Sequence, residues 1–336
     1  MNKRRWIAGV AAVAVLVIAV VAALWWSSGS SSKQAALERV VINEAVRTLL
    51  YLPLYHAAEQ GYFRDAGLDV QIVTGGNATN SFAAMLSGEA QFSQADPMYV
   101  PISREKGSQT KVVAQVVGRI AVWGLTMDPA VKDWTVETVR GKKISTHVRP
   151  MTAFTYAEKA VRDIGLDPDK DVEIIQSNPG AELVPLLNGQ ADFAFTLEPS
   201  VSTAIGQGAH IVFSFPAQLG DQVFTALMTT DEYLRDNRAT VVAVVRGYQR
   251  ALNDIRTDPA GSLKSARAFF PQLKDQVIHS AVERMIAERV IPQSVELTDE
   301  SWARAVRVRV DAGDLRSGIS LEDGCDLSVM QAGARP

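Results

Sequence analysis

From residue 39 to about 230, short apolar runs that read as buried strands alternate with stretches of helical period. The run at 39–43 is the first strand. Pro53 opens a helix because its fixed φ suits a first turn; Leu54, Ala57 and Ala58 fall on one face, and Gly61 and Gly67 let the chain turn out. A strand over 68–73 follows. It ends at Gly75, Gly76 and Asn77, where backbone amides are free to face a ligand before a helix opens near Thr79. Further strands are expected over 90–93 and 111–117, with an apolar run at 120–127, and Asp96 and Pro97 supply the cap and first position of an intervening helix.

The second half repeats the first. RDAGLDV at 64–70 is answered by RDIGLDP at 162–168, and GEAQFSQADP at 88–97 by GQADFAFTLEP at 189–199, in the same order. Strands are expected over 143–146, 172–176 and 192–196, and helices over 151–164, 180–187 and from Pro199. Strands alternating with helices imply mostly parallel sheets covered on both faces. From 231 to 315 the pattern is helical, broken at Pro259, Pro271 and Pro292, with arginines including Arg284, Arg289, Arg304 and Arg309 among apolar positions. These helices read as a cover over the first lobe. The expected organisation is an α/β protein of two similar lobes: 33–125 as the first part of lobe one, 126–225 as lobe two, and 226–336 returning to lobe one. Crossings near 123–129 and 224–230 would form a hinge.

Ahead of the body, Lys3, Arg4 and Arg5 precede an uncharged apolar run over 6–26, long enough to span a bilayer, which needs about 20 such residues. A signal anchor, a transmembrane helix with its basic flank inside, is expected, followed by a Ser-rich tether up to residue 32; cleavage after Ala23 would instead secrete the body. Either way the body is exported, to the periplasmic or extracellular face of the cytoplasmic membrane. The 336-residue chain carries a net charge of −3, which offers no basic field for nucleic acid. Four His and a single Cys, without CxxC or HExxH, supply neither a metal site nor thiol redox chemistry, so no metal or cofactor is expected.

The recurrent device is a helix start at the carboxyl end of a strand: Leu52-Pro53, Asp96-Pro97, Arg149-Pro150, Asn178-Pro179 and Glu198-Pro199. In open α/β sheets ligands bind at that edge, where helix amides favour an anionic or acceptor-rich group. Arg149, beside Thr152, suits a carboxylate or sulfonate held by two parallel hydrogen bonds. Asp96 and Glu198 hold matched places in the two repeats; either caps its helix or faces a ligand cation. Tyr51 and Trp123 offer rings for stacking or for the core, and His147 a hydrogen bond at the same edge.

The segment PLYHAAEQGYFRDAGLDVQIV at 53–73 resembles the opening of periplasmic substrate-binding proteins of ABC importers, in the nitrate/sulfonate/taurine and thiamine-pyrimidine-precursor (NMT1/THI5-like, SsuA-like) family. The resemblance covers roughly 40–235. It implies a two-lobed, type II periplasmic-binding-protein fold. It also implies a monomeric, non-enzymatic binding protein that captures a small anionic or zwitterionic organic solute for a permease and ATPase complex. In that family the acidic-Pro pair, here Glu198-Pro199, often faces the ligand, and Gly75, Gly76 and Asn77 resemble the loop after the second strand. Two departures stand out: no Cys lies near residue 26 to carry a lipid, and His147, Arg149 and Met151 stand where relatives often have small residues. The alternatives are an enzyme of the pyrimidine-synthase-like branch, which uses a Cys-rich segment this chain lacks, and a membrane-anchored ligand sensor.

Overall fold

The computed structural model describes residues 36–335 apart from 150, 179 and 312. The expected anchor and tether at 1–32 lie outside the described residues. Among the described residues no helix is long and apolar enough to cross a membrane.

The elements of the first half are β1 (Glu38–Glu44), a 3-10 turn (Leu49–Tyr51), α1 (Leu52–Glu59), α2 (Tyr62–Asp65), β2 (Leu68–Thr74), α3 (Ala78–Leu86), β3 (Phe92–Ala95), α4 (Tyr99–Arg104) and β4 (Thr110–Val117). Next come β5 (Trp123–Thr126), α5 (Val136–Val139), β6 (Lys143–His147), α6 (Thr152–Asp163), β7 (Glu173–Ser177), α7 (Val184–Leu187), β8 (Phe193–Thr196), α8 (Ser200–Ile205), β9 (His210–Ser214) and α9 (Phe215–Leu219). The chain then runs through β10 (Thr225–Thr230), α10 (Asp231–Asp236), α11 (Arg238–Thr257), α12 (Pro259–Phe269), α13 (Asp275–Ala287), α14 (Asp299–Asp311), α15 (Leu321–Gly324) and α16 (Leu327–Ala334).

Two five-stranded sheets result, with strand orders β2-β1-β3-β10-β4 and β7-β6-β8-β5-β9. The orders are the same when the lobes are superposed by repeat, so the paired sequence motifs mark equivalent strands: β2 with β7, and β3 with β8. Pairing is parallel from β1 to β2 and β3, and from β6 to β7 and β8; β10 and β5 are antiparallel to both of their neighbours. Four strands of each sheet therefore point one way. The reversed strand is in each case the one that has just arrived from the other lobe. A chain leaving one sheet at its carboxyl edge enters the next sheet at that same edge, and it can only run backwards through it.

This geometry moves the crossings. Trp123 already pairs with Thr196 and Ser214 inside the second sheet, and Thr225 with Val117 inside the first. The passages between sheets are 118–122 and 215–224, a few residues upstream of the apolar runs expected to carry them. The passages are themselves buried at Ile120, Ala121, Val122, Phe215 and Val223, so apolar character does not tell a crossing from the strand beside it.

The C-terminal helices do more than cover lobe one. α11 packs on α16, α1 and β4, but α13 packs on α8 of the second lobe. Ile278, Ala281, Val282 and Met285 of α13 are buried in one apolar core with Val40 and Leu54 of the first lobe and Leu186, Ala194 and Val201 of the second. A separate core around Trp134, Phe193, Phe195 and Phe213 fills the other face of the second sheet, where Trp134 stands edge-on to Phe193 and Phe195 with centroids 5.0 and 4.9 Å away. Gly124 sits against that core: a Cβ there would lie 2.9 Å from Phe195 Cζ and 3.0 Å from Phe213 Cβ, so β5 passes under the rings only because the position is Gly.

Candidate functional site at the facing sheet edges

β1 and β2 of the first sheet end at Glu44 and Thr74, and β6 and β8 of the second at His147 and Thr196; two hydrogen bonds join the segments that follow the facing edges. Thr48, after β1, donates its hydroxyl to the Glu198 carbonyl after β8 at 2.9 Å. Thr152, at the start of α6, donates to Asp96 Oδ2 after β3 at 3.2 Å. The carboxyl edges of the two sheets therefore face each other, and the polar side chains Glu44, Thr48, His147 and Glu198 are buried at this junction.

On the first lobe, Glu44 ends β1 fully buried. It accepts from Tyr55 (2.5 Å), Thr74 (2.7 Å) and Arg47 Nε (3.1 Å). Asp96 accepts from the Met98 amide at 2.9 Å, as a cap would, and its other oxygen is held by Arg309 of α14 as well as by Thr152. Arg309 also donates to Asp314 at 3.0 Å. Two carboxylates around one shielded guanidinium push its pKa further up.

On the second lobe, His147 ends β6 nearly fully buried, with Nε2 3.5 Å from Glu182 Oε2 and Nδ1 without a partner among the described residues. Burial pushes the Glu182 carboxyl up, but hydrogen bonding and charge from His147 with hydrogen bonds from Ser200 and Thr196 outweigh it and bring it down to about 2. The Gly180 amide and the Thr196 hydroxyl donate to Glu182 at 2.6 and 2.7 Å. Glu198 behaves oppositely. Its burial pushes the carboxyl up and dominates over the donors that oppose it: the Ser202 amide (3.0 Å) and hydroxyl (2.9 Å), and Arg284 Nε from α13 (2.9 Å).

The expected residues distribute unevenly around this junction. Asp96, His147, Thr152 and Glu198 are brought together at the two edges. Asn77 caps α3, accepting from the Asn80 amide at 2.8 Å, and lies exposed with Gly76 at the lip of the first lobe. Tyr51, Leu52 and Pro53 are buried beneath the edge; the Tyr51 and Leu52 amides are spent on the preceding turn, and Pro53 has none. Trp123 is fully buried in the apolar core, and its indole N–H donates to Glu288 Oε2 at 3.0 Å. Arg149 points along the outside of α6: it pairs with Glu158, its guanidinium lies 4.4 Å from the Phe154 ring centroid, and its side chain is 59 % exposed.

Pattern reading missed Glu44, Arg47, Glu182, Arg284 and Arg309. Glu44 carried a signal, a charged residue at the end of an apolar strand. Arg284 and Arg309 carried none, since on an amphipathic helix an inward Arg and a solvated Arg look alike.

The sequence profile of the NMT1/THI5-like family matches residues 50–262. The chain belongs to the NMT1/THI5-like family. Among curated proteins, YtlA of Bacillus subtilis (strain 168), named as a binding protein, is 22 % identical over 292 residues, covering 85 % of this chain and 87 % of YtlA. Among solved structures, the periplasmic aliphatic sulphonate binding protein SsuA of Escherichia coli aligns at a TM-score of 0.70 with 15 % identity, over 86 % of this chain and 92 % of SsuA. The desulfurization enzyme DSZB aligns at 0.64 with 13 % identity, over 88 % of this chain and 98 % of DSZB. At such identities the structural matches establish the two-lobed α/β fold, which serves binding proteins and an enzyme alike.

Proposed function

We propose that this member of the NMT1/THI5-like family is an extracytoplasmic solute-binding protein. It closes its two lobes on a small anionic or zwitterionic organic solute and delivers it, as a monomer, to an ABC permease and its ATPase. The apolar segment at 6–26 holds it at the outer face of the cytoplasmic membrane. The observation that carries this reading is the meeting of the two sheet edges through Asp96–Thr152 and Thr48–Glu198, in a fold whose sulphonate-binding relative SsuA is periplasmic. His147 and Glu198 face the solute from the second lobe, Asp96, Gly76 and Asn77 from the first. Arg149 joins them only by swinging away from Glu158 and Phe154.

Native mass spectrometry of the purified full chain in detergent tests this. A retained small organic molecule is expected, released when the protein is unfolded and rebound on refolding with a more compact scattering profile. Recovery of a chemically altered molecule after incubation would point instead to an enzyme, and a rigid body that retains nothing would sink the reading.

A further inference from the structure

Arg47 differs from the other arginines at this junction. Its Nε is anchored on Glu44 at 3.1 Å, and its Cζ lies 5.6 and 5.7 Å from the ring centroids of Tyr55 and Phe269, which stack on each other at 4.6 Å. Glu44 itself is fully buried and shared with Tyr55 and Thr74, so the carboxylate is a fixed point rather than a mobile partner. The side chain is 40 % exposed, and among the described residues neither Nη group has a partner. The guanidinium is thus held at its base, supported on its face and open at its tip. It sits one residue from Thr48, which bonds to the opposite lobe. By contrast Arg309 is shared between two carboxylates and Arg149 rests on Glu158. Arg284 gives its Nε to Glu198 but is only 18 % exposed.

We propose that Arg47 is the oxyanion-recognising residue at this junction, taking a carboxylate or sulfonate group of the solute end-on across its two Nη groups. This rests on the reading that a solute binds between the lobes. The chemistry follows from the placement. A guanidinium presents parallel N–H groups that match two oxygens of a planar or tetrahedral oxyanion, and the fork costs little to order when its plane is already set. Glu44 sets that plane from the Nε side, and the aromatic pair holds the group against rotation. Because the carboxylate is buried and the tip is not, the ion pair turns its positive end outward, beside the Thr48 link to the opposite lobe. Lys at this position would keep the charge and lose the fork.

The probe is methanesulfonate, titrated into the full chain by calorimetry against chloride at matched ionic strength. Saturable binding specific to methanesulfonate is expected for the wild type. Arg47→Gln should weaken it about tenfold or more, the scale of a charge-assisted hydrogen bond, and Arg47→Lys should weaken it in the same direction with charge retained. Circular dichroism on both variants establishes that they fold; if Arg47→Gln does not, Arg47→Lys decides. No saturable binding by the wild type, unchanged affinity in the folded variants, or loss only in Arg284→Gln would each overturn the assignment. The native mass spectrum separates the two levels. Solute retained equally by wild type and Arg47→Gln rejects Arg47 alone, whereas absence of any retained solute rejects the solute-binding reading and leaves Arg47 to the methanesulfonate titration.

Discussion

Thr152 and Asp96 meet where the two lobes join: the hydroxyl on the second lobe donates to the carboxylate oxygen that Arg309 holds from the helix packed on the first. A side chain on one lobe thereby senses an ion pair on the other. Thr48 and Glu198 make the second such link, through a backbone carbonyl. Both links are short-range hydrogen bonds, and both must break for the lobes to part.

Removing them should favour the open form. Thr152→Val keeps the shape and loses a donor to a charged acceptor, which costs about 1.5–3 kcal/mol. Thr152→Val with Thr48→Val should raise the radius of gyration of the ligand-free protein in small-angle scattering. A profile identical to wild type would mean that the remaining contacts, the apolar core with Arg284–Glu198 and the Glu288 bonds to Trp123 and Ser214, hold the lobes together.

Glu288 should matter more for stability than for binding. One of its oxygens accepts from the Trp123 indole at 3.0 Å and the Ser214 hydroxyl at 2.6 Å, and its carbonyl accepts from Arg119. Glu288→Ala leaves the buried indole N–H unpaired, so a loss of about 1–3 kcal/mol in chemical denaturation is expected. Trp123 fluorescence should shift to the red as water reaches the ring.

Acid sensitivity should trace to Glu182 rather than Glu198. The Glu182 carboxyl lies at about 2 in the fold against 4.5 ordinarily, so its contribution is complete above about pH 5 and is lost as pH falls from there toward 2. Glu198 is raised, which has the opposite sign: its contribution is present at low pH and is lost as pH rises through its folded value. Glu182→Gln should flatten the acid limb of a stability profile, and Glu198→Gln should not. Equal acid limbs in wild type and Glu182→Gln would count against the His147–Glu182 pairing.

Gly247 lies inside the long helix α11, where its missing side chain leaves room for Phe63. A Cβ there would fall 2.5 Å from Phe63 Cε1. Gly247→Ala gains helix propensity of up to about 1 kcal/mol, but overpacking of a fully buried ring costs about 1–3 kcal/mol. A net loss in melting temperature is the expected outcome, and a gain would show that Phe63 has space to move.

The sequence by itself determined the alternation of strands and helices, the doubling of the lobe and the polar residues that stand at the strand ends. Those features are written locally. The helix exits at Gly67 and Gly165, and the strand entries after Gly88 and Gly189, recur in order, and a local signal survives without knowledge of what packs on it. Asp96, His147, Thr152 and Glu198 were legible for the same reason, each standing next to a strand end. The tertiary structure alone decided where the chain crosses, since 118–122 and the run that follows are equally apolar and only pairing with β8 and β9 makes Trp123 a strand residue. It alone brought Arg284 and Arg309 from distant helices onto Glu198 and Asp96, contacts 86 and 213 residues apart in the chain. It alone set Arg47 between a buried carboxylate and an aromatic ring from residue 269. Charges meet across such separations because a helix face is chosen by the whole core it packs against, and no local period records which partner that will be.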